Sequence, residues 1–264
     1  IKQAIIPLAG LGTRLLPLTS VFAKELLPIN GKPGLEYIIE ECIEAGIKEI
    51  VFIISKKKLM IKKYFYNDKF YKDIIKKKND PKIIKEYKKI LKYKKMIKFV
   101  FQDKPLGTGD AVYKTKKFIT DKYFLMLLPD DLIIKKNCSK SMIAVHNKFK
   151  ASVMASMKVN KNDVSRWGIY NIRKKIDKNN FIINNVVEKP SIKTSPSNNA
   201  VIGRYILPKT IFSKLKSLKP GKSGEFHITD AIQALIEDDN QFIGHNFSGK
   251  YLDCGTMKGY IKST

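Results

Sequence analysis

QAIIPLAGLGTR, residues 3–14, is an apolar run that breaks into a glycine pair and then an arginine. Near-continuous hydrophobicity over so short a length suits a strand buried on both faces, the habit of parallel sheets covered by helices. In the turn that follows, Gly10 and Gly12 remove side chains, so that backbone N–H groups can approach an anion closely. Arg14 and, further on, Lys24 bring positive charge to the same mouth. A buried strand that ends in a bare, cationic turn predicts a phosphate chain as its ligand.

Outward from that stretch, strand and helix alternate. Leu35, Ile38, Ile39, Cys42 and Ile43 recur at helical spacing before Gly46, which stands where a helix C-cap belongs. EIVFII (49–54) and MIKFVFQ (96–102) read as further strands, and residues 56–95 between them as solvated, lysine-rich helices of an insertion. A helix is predicted from about Gly109 through Ala111, Val112 and Phe118, then a central strand, YFLMLL (123–128), ending at Pro129, Asp130 and Asp131. The second half is richer in strands: ASVMASMKV, WGIYNI, FIINNVVE and AVIGRYIL, with an exposed loop at 191–199 and a helix, ITDAIQALIE, introduced by Thr229. The repeated strand–helix–strand order predicts an α/β protein with a Rossmann-like, doubly wound, mixed but mostly parallel sheet, in one domain spanning 1–264.

The length of 264 residues allows a sizeable core. No apolar run approaches the roughly 18 residues of a membrane span, and no export signal is visible, so a cytoplasmic location and no membrane partner are expected. Cys42, Cys138 and Cys254 are odd in number and far apart, which gives neither a disulfide framework nor zinc-ligand spacing. A net charge of +27 raises nucleic-acid binding as a function class. However, the arginines are only Arg14, Arg166, Arg173 and Arg204, the other cations are lysines spread along the chain, and no nucleic-acid-reading motif occurs. No specific nucleic-acid partner is expected.

Ligands of open α/β sheets sit beyond the carboxyl ends of the strands. The turn at 9–14, the loop at 102–110 and the Asp130–Asp131 pair all fall there, which predicts a nucleotide pocket. The turn is not a Walker A loop: PGKS (220–223) ends in the right letters, but Lys216 stands where the first glycine should be. Nor is it a dinucleotide fingerprint, since Leu15 takes the third glycine's place. His146, His227 and His245 have no partner at ligand spacing and read as structural or exposed.

GLGTRLLPLT (10–19) with AKELLP (23–28) resembles the signature of the sugar-phosphate nucleotidyltransferases. VVEKP (186–190), SPSNNAVIGRYIL (195–207), GEFHITDAI (224–232) and YLDCG (251–255) resemble the bacterial UTP–glucose-1-phosphate uridylyltransferases in particular. The resemblance implies a Mg²⁺-assisted reaction of UTP with glucose 1-phosphate that yields UDP-glucose and pyrophosphate. It implies a nucleotide-binding part over about 1–135 and a sugar-binding part over about 136–264, in a homo-oligomer, a dimer or tetramer.

By the same resemblance Arg14 and Lys24 grip the triphosphate and the departing pyrophosphate, and Lys189 neutralises the sugar phosphate. Ala9, Gly10, Gly12, Thr13, Glu25, Gln102 and Gly107 form the nucleotide site. Gly168, Glu188, Lys189 and Gly203 form the sugar site, and Asp130 and Asp253 hold the metal. Asp131 reads as a residue that caps or orients its turn.

The pattern departs from the family at Ser20, where lysine is common, at Ala23, at Trp167, and in LGTGDA (106–111), which has Asp110 near where a histidine is usual. Base choice is therefore open to a thymidylyltransferase making dTDP-glucose. A basic nucleic-acid-binding protein is the alternative from another class.

Overall fold

The computed structural model describes residues 1–221 and 224–264; the last two residues of PGKS lie outside the described residues. The chain runs β1 (Gln3–Pro7), β2 (Pro28–Ile29), β3 (Lys32–Pro33), α1 (Gly34–Glu44), β4 (Glu49–Ile54), α2 (Leu59–Tyr66), α3 (Asp68–Lys78), α4 (Pro81–Met96) and β5 (Ile97–Phe101). It continues through α5 (Gly107–Tyr113), β6 (Tyr123–Leu127), β7 (Asp131–Ile134), α6 (Cys138–Phe149), β8 (Ser152–Lys158), β9 (Gly168–Lys175) and β10 (Asn180–Glu188). β11 (Asn199–Pro208), α7 (Ile211–Ser217), α8 (Ile228–Glu237), β12 (Phe242–Asn246), β13 (Lys250–Asp253) and α9 (Met257–Ser263) complete it.

One nine-stranded sheet, ordered β5-β4-β1-β6-β11-β8-β12-β10-β9, forms the frame. The first four strands are mutually parallel. Beyond β6 the sheet turns mixed: β11 is antiparallel to both β6 and β8, β12 is parallel to β8, and β10 is antiparallel to β12 and β9. The fold is the α/β, mixed-sheet class expected, but it is not mostly parallel: β11 enters the sheet antiparallel next to β6, and only four of the eight neighbouring pairs are parallel, three of them in the first half.

The apolar strands divide by parity between two cores, because successive side chains point to opposite faces. Ile6, Leu8, Phe52, Ile54, Leu125 and Leu127 face α1, α2, α4 and α6. Ile5, Val51, Ile53, Phe124 and Met126 face α5, α7 and α8. Leu35, Ile38, Ile39 and Cys42 of α1 are all buried, and Gly46, at φ 85°, lets the chain leave the helix in a left-handed conformation. Residues 59–96 form α2, α3 and α4; α3 buries no side chain, whereas α2 buries Ile61 and Phe65 and α4 buries Ile90 and Tyr93.

Three boundaries differ from the sequence expectation. The helix expected near Gly109 begins at Gly107 and stops at Tyr113, because the Thr115 hydroxyl donates to the Val112 carbonyl at 2.6 Å and a short 3-10 turn replaces the last part. Thr229 does not introduce α8: His227 is the extended residue before it, and Thr229 lies in its first turn. β12 has no counterpart in the sequence expectation, and it lies inside the sheet between β8 and β10.

Candidate active site

Two cavities open at the carboxyl end of the parallel strands, and both include Leu128 and Asp130. The first, about 290 Å³, is lined by Ala9, Gly10, Lys24, Glu25, Gln102 and Gly107 among others. The second, about 380 Å³, is lined by Arg14, Asp253, Gly168, Glu188, Lys189 and Gly203 among others. The residues expected for nucleotide and for sugar thus separate into adjoining hollows that meet at Asp130. Gly12 and Thr13 line neither. Gly12, at φ 72°, shapes the turn, and its carbonyl accepts from the Thr19 hydroxyl at 2.9 Å.

Asp130 follows β6 and collects the cations. Lys24 Nζ lies 2.8 Å from Asp130 Oδ2, and Arg14 Nη2 lies 3.6 Å from the same oxygen. Burial alone would raise the Asp130 pKa, but Lys24 and Arg14 outweigh it and hold the carboxyl below its usual range. For Lys24, burial opposes the charge, and Asp130 together with Glu25 more than restores it, so its pKa is raised. Arg14 remains two-thirds exposed, its charge free to meet a ligand.

Asp131, the next residue, is pushed up by burial and by the Asp130 charge. Its oxygens accept from the Tyr251 hydroxyl at 2.5 Å and the Gly203 N–H at 2.8 Å. These bonds tie the turn to β13 and β11, and Asp131 itself also lines the second cavity. The register of β7 against β13 sets Asp131 opposite Asp253, and the Cys254 N–H donates to the Asp130 carbonyl at 2.8 Å. Two acidic turns distant in sequence are thereby held side by side. The Asp253 carboxylate is oriented by the Gly255 N–H at 2.9 Å and the Thr256 hydroxyl at 3.0 Å.

On the far side of the second cavity, the β9–β10 register pairs Gly168 with Glu188. A side chain at Gly168 would come within 3.0 Å of a Glu188 carboxylate oxygen. Lys189 adopts φ 45°, sparse for a residue with a side chain, and its N–H donates to the Trp167 carbonyl at 2.9 Å. Gly203 is pressed against Leu128 and Asp131, where a Cβ would approach within 2.5 Å of each, so its bareness is used internally as well as at the cavity wall.

In the first cavity, Glu25 is buried, and both its oxygens accept from Lys58 Nζ at 2.8 Å. Sequence reasoning missed Lys58, which carried no signal beyond its lysine-rich neighbours. It also missed Glu225 and His227, which line this cavity, and Thr229, which lines the second. All three belong to GEFHITDAI, the one signal that could have found them. His227 is thus a cavity residue; His146 and His245 are buried. The two loops that make this wall are clamped together: Gly109 N–H donates to the Phe226 carbonyl at 2.7 Å and Phe226 N–H to the Leu106 carbonyl at 2.8 Å. A Cβ at Gly107 would fall 2.5 Å from the Phe226 carbonyl oxygen, so only glycine fits.

Residues 3–264 match the family model described as nucleotidyl transferase. The chain is 37% identical over 265 residues to a protein from Staphylococcus saprophyticus named UTP–glucose-1-phosphate uridylyltransferase 2, covering 100% of this chain and 91% of that one. Among solved structures, a UDP-glucose pyrophosphorylase complexed with UDP-glucose superposes with a TM-score of 0.86 at 34% identity, covering 100% of this chain and 97% of that one. A UTP-bound UGPase from Acinetobacter baumannii gives 0.90 at 30% identity, with 100% and 92% covered.

Proposed function

The chain belongs to the nucleotidyl transferase family, and from that premise we propose that it joins UTP to glucose 1-phosphate, forming UDP-glucose and releasing pyrophosphate. The observation that carries this reading is the meeting of two cavities at Asp130, with fixed cations at the junction. Two polyanions repel, and the main task is to hold them aligned while charge moves onto a leaving group.

The nucleoside occupies the first cavity, with Gln102 and the backbone of Ala9, Gly10 and Gly107 against base and ribose. The sugar phosphate occupies the second, where Glu188 accepts from glucose hydroxyls and Lys189 offsets the phosphate charge. A sugar-phosphate oxygen attacks the α-phosphorus of UTP in line. The bond from that phosphorus to the bridging oxygen breaks, and its electron pair leaves on pyrophosphate. Arg14 and Lys24 stabilise the charge that gathers there.

Asp130 and Asp253 are the residues that would hold Mg²⁺. Both line the second cavity, and among the described residues no group of three or more His, Cys, Asp or Glu is placed to bind a metal. The protein thus offers two hard carboxylates and leaves further positions to phosphate oxygens and water, which suits Mg²⁺. When bound, the ion neutralises phosphate charge.

No helix of the described residues is long and apolar enough to cross a membrane. A cytoplasmic location is inferred with the support of three buried, unpaired cysteines. A homo-oligomer, a dimer or tetramer, is inferred with the support of exposed Leu16, Val21 and Phe22, which lie between Arg14 and Lys24 in the chain.

The test is to incubate the protein with Mg²⁺, glucose 1-phosphate and either UTP or dTTP, and to identify the nucleotide sugar formed. UDP-glucose and pyrophosphate are expected in equal amounts. A preparation that binds UTP but forms neither product overturns the reading.

A further inference from the structure

Asp110 lies in the first turn of α5, inside LGTGDA, and its carboxylate reaches back to Gln102. Gln102 Nε2 donates to Asp110 Oδ2 at 2.7 Å and to the Gly107 carbonyl at 3.0 Å. A primary amide has two N–H bonds, and both are used. Turning the amide over would set its carbonyl oxygen against a carboxylate and a carbonyl, three acceptors with no proton between them, at a residue only 5% exposed. The orientation is therefore fixed by chemistry.

Both partners are themselves held. Lys114 Nζ lies 3.3 Å from Asp110 Oδ1, one helical turn on, and Gly107 is seated against Phe226. Gln102 lines the first cavity, and with its N–H groups spent it offers that cavity an acceptor only.

We propose that Asp110 is the positioning residue for base selection: it locks Gln102 as an acceptor, so that the cavity takes a pyrimidine carrying a ring N–H, uracil or thymine, and rejects cytosine. Cytosine presents a lone pair at the same ring position, and two acceptors face each other without a proton. The inference rests on the reading of the first cavity as the nucleoside site.

Nucleotide binding by titration calorimetry and steady-state kinetics with UTP and CTP test it, on the wild type, Asp110→Ala and Asp110→Asn. Asp110→Ala frees one amide hydrogen and lets the amide turn. The UTP-to-CTP preference should fall by about tenfold, with the loss in KM for UTP and kcat within about threefold. Asp110→Asn can still present an oxygen to Gln102 and should restore most of the preference. An unchanged preference in Asp110→Ala overturns the proposal.

The wild type supplies a second check that needs no variant to fold: CTP should compete with UTP at least about 100-fold more weakly, and equal competition overturns the proposal. Intact UTP selectivity in binding without turnover would instead sink the catalytic reading and leave this one standing.

Discussion

Arg204 of β11, wholly buried, grips Glu41 of α1, with Nη2 2.9 Å and Nε 3.2 Å from Glu41 Oε2. Its remaining nitrogen, Nη1, donates to the carbonyls of Leu128 at 3.0 Å and Gly203 at 3.1 Å. Ser139 closes the other side of the carboxylate through its N–H at 3.1 Å and its hydroxyl at 2.5 Å. One guanidinium thus ties a helix on one face of the sheet to the segment that delivers Asp130.

Removing either charge alone leaves its partner buried and uncompensated. Arg204→Ala should cost about 3–5 kcal/mol in urea unfolding, and the double change Arg204→Met with Glu41→Leu should recover most of it. A single-variant loss below about 1 kcal/mol would mean the site tolerates an unpaired carboxylate, against this account.

Arg14 should behave in the opposite way, because its side chain is exposed and its one protein partner among the described residues is a 3.6 Å contact. Arg14→Ala is expected to lower kcat by about 10² to 10³, the usual loss of one charge donor to a transition state, with the melting temperature nearly unmoved. An unaltered rate in the purified variant would refute its role.

These two arginines mark what the sequence could and could not reveal. Arg14 stands beside a glycine turn after a buried strand, and local pattern suffices. Arg204 looks like any residue of an apolar strand, since its partner on α1 comes near only when the sheet is built. The strands β1, β4 and β6 were legible because burial on both faces leaves an unbroken apolar run. β12 was not: FIGHN holds a glycine and a histidine, and Gly244 is there because a Cβ would fall 2.1 Å from the Phe181 ring. Glu225 and His227 reach the first cavity only because Phe226 docks on Gly107 and Gly109, a contact that spacing along the chain does not encode.

Glu188 has a side chain 71% exposed and no short contact to a cation, Lys189 Nζ being 3.9 Å away. Its replacement should leave stability unchanged. Glu188→Gln is expected to raise KM for glucose 1-phosphate by about tenfold, since it removes a charged acceptor for hydroxyls, while KM for UTP stays within about twofold. Equal changes in both constants would place Glu188 outside the sugar site.

His146 gives the fold a dependence on mildly acid pH. Its ring is buried at the end of α6, 4.5 Å from the Tyr123 ring, and Nδ1 lies 2.8 Å from the Ala151 carbonyl, which assigns the proton to that nitrogen. Burial lowers its pKa from the ordinary 6.5, and this outweighs the carbonyl, which favours the charged form. The unfolded chain therefore takes up a proton at a pH where the folded chain does not. Stability is full above about pH 6.5 and falls as pH drops below it, by at most about 1.4 kcal/mol per unit, until the folded pKa is passed. The depressed carboxylates Glu49, Asp68, Asp130 and Asp177 act in a lower range, below their ordinary values near 4. His245 is also lowered by burial and acts in the same direction, but equally in wild type and in a variant at position 146. Urea midpoints measured at pH 7.5 and pH 5.5 should differ more in the wild type than in His146→Asn, which keeps an N–H donor for Ala151 but cannot be charged. Equal differences in the two proteins would remove His146 from the account.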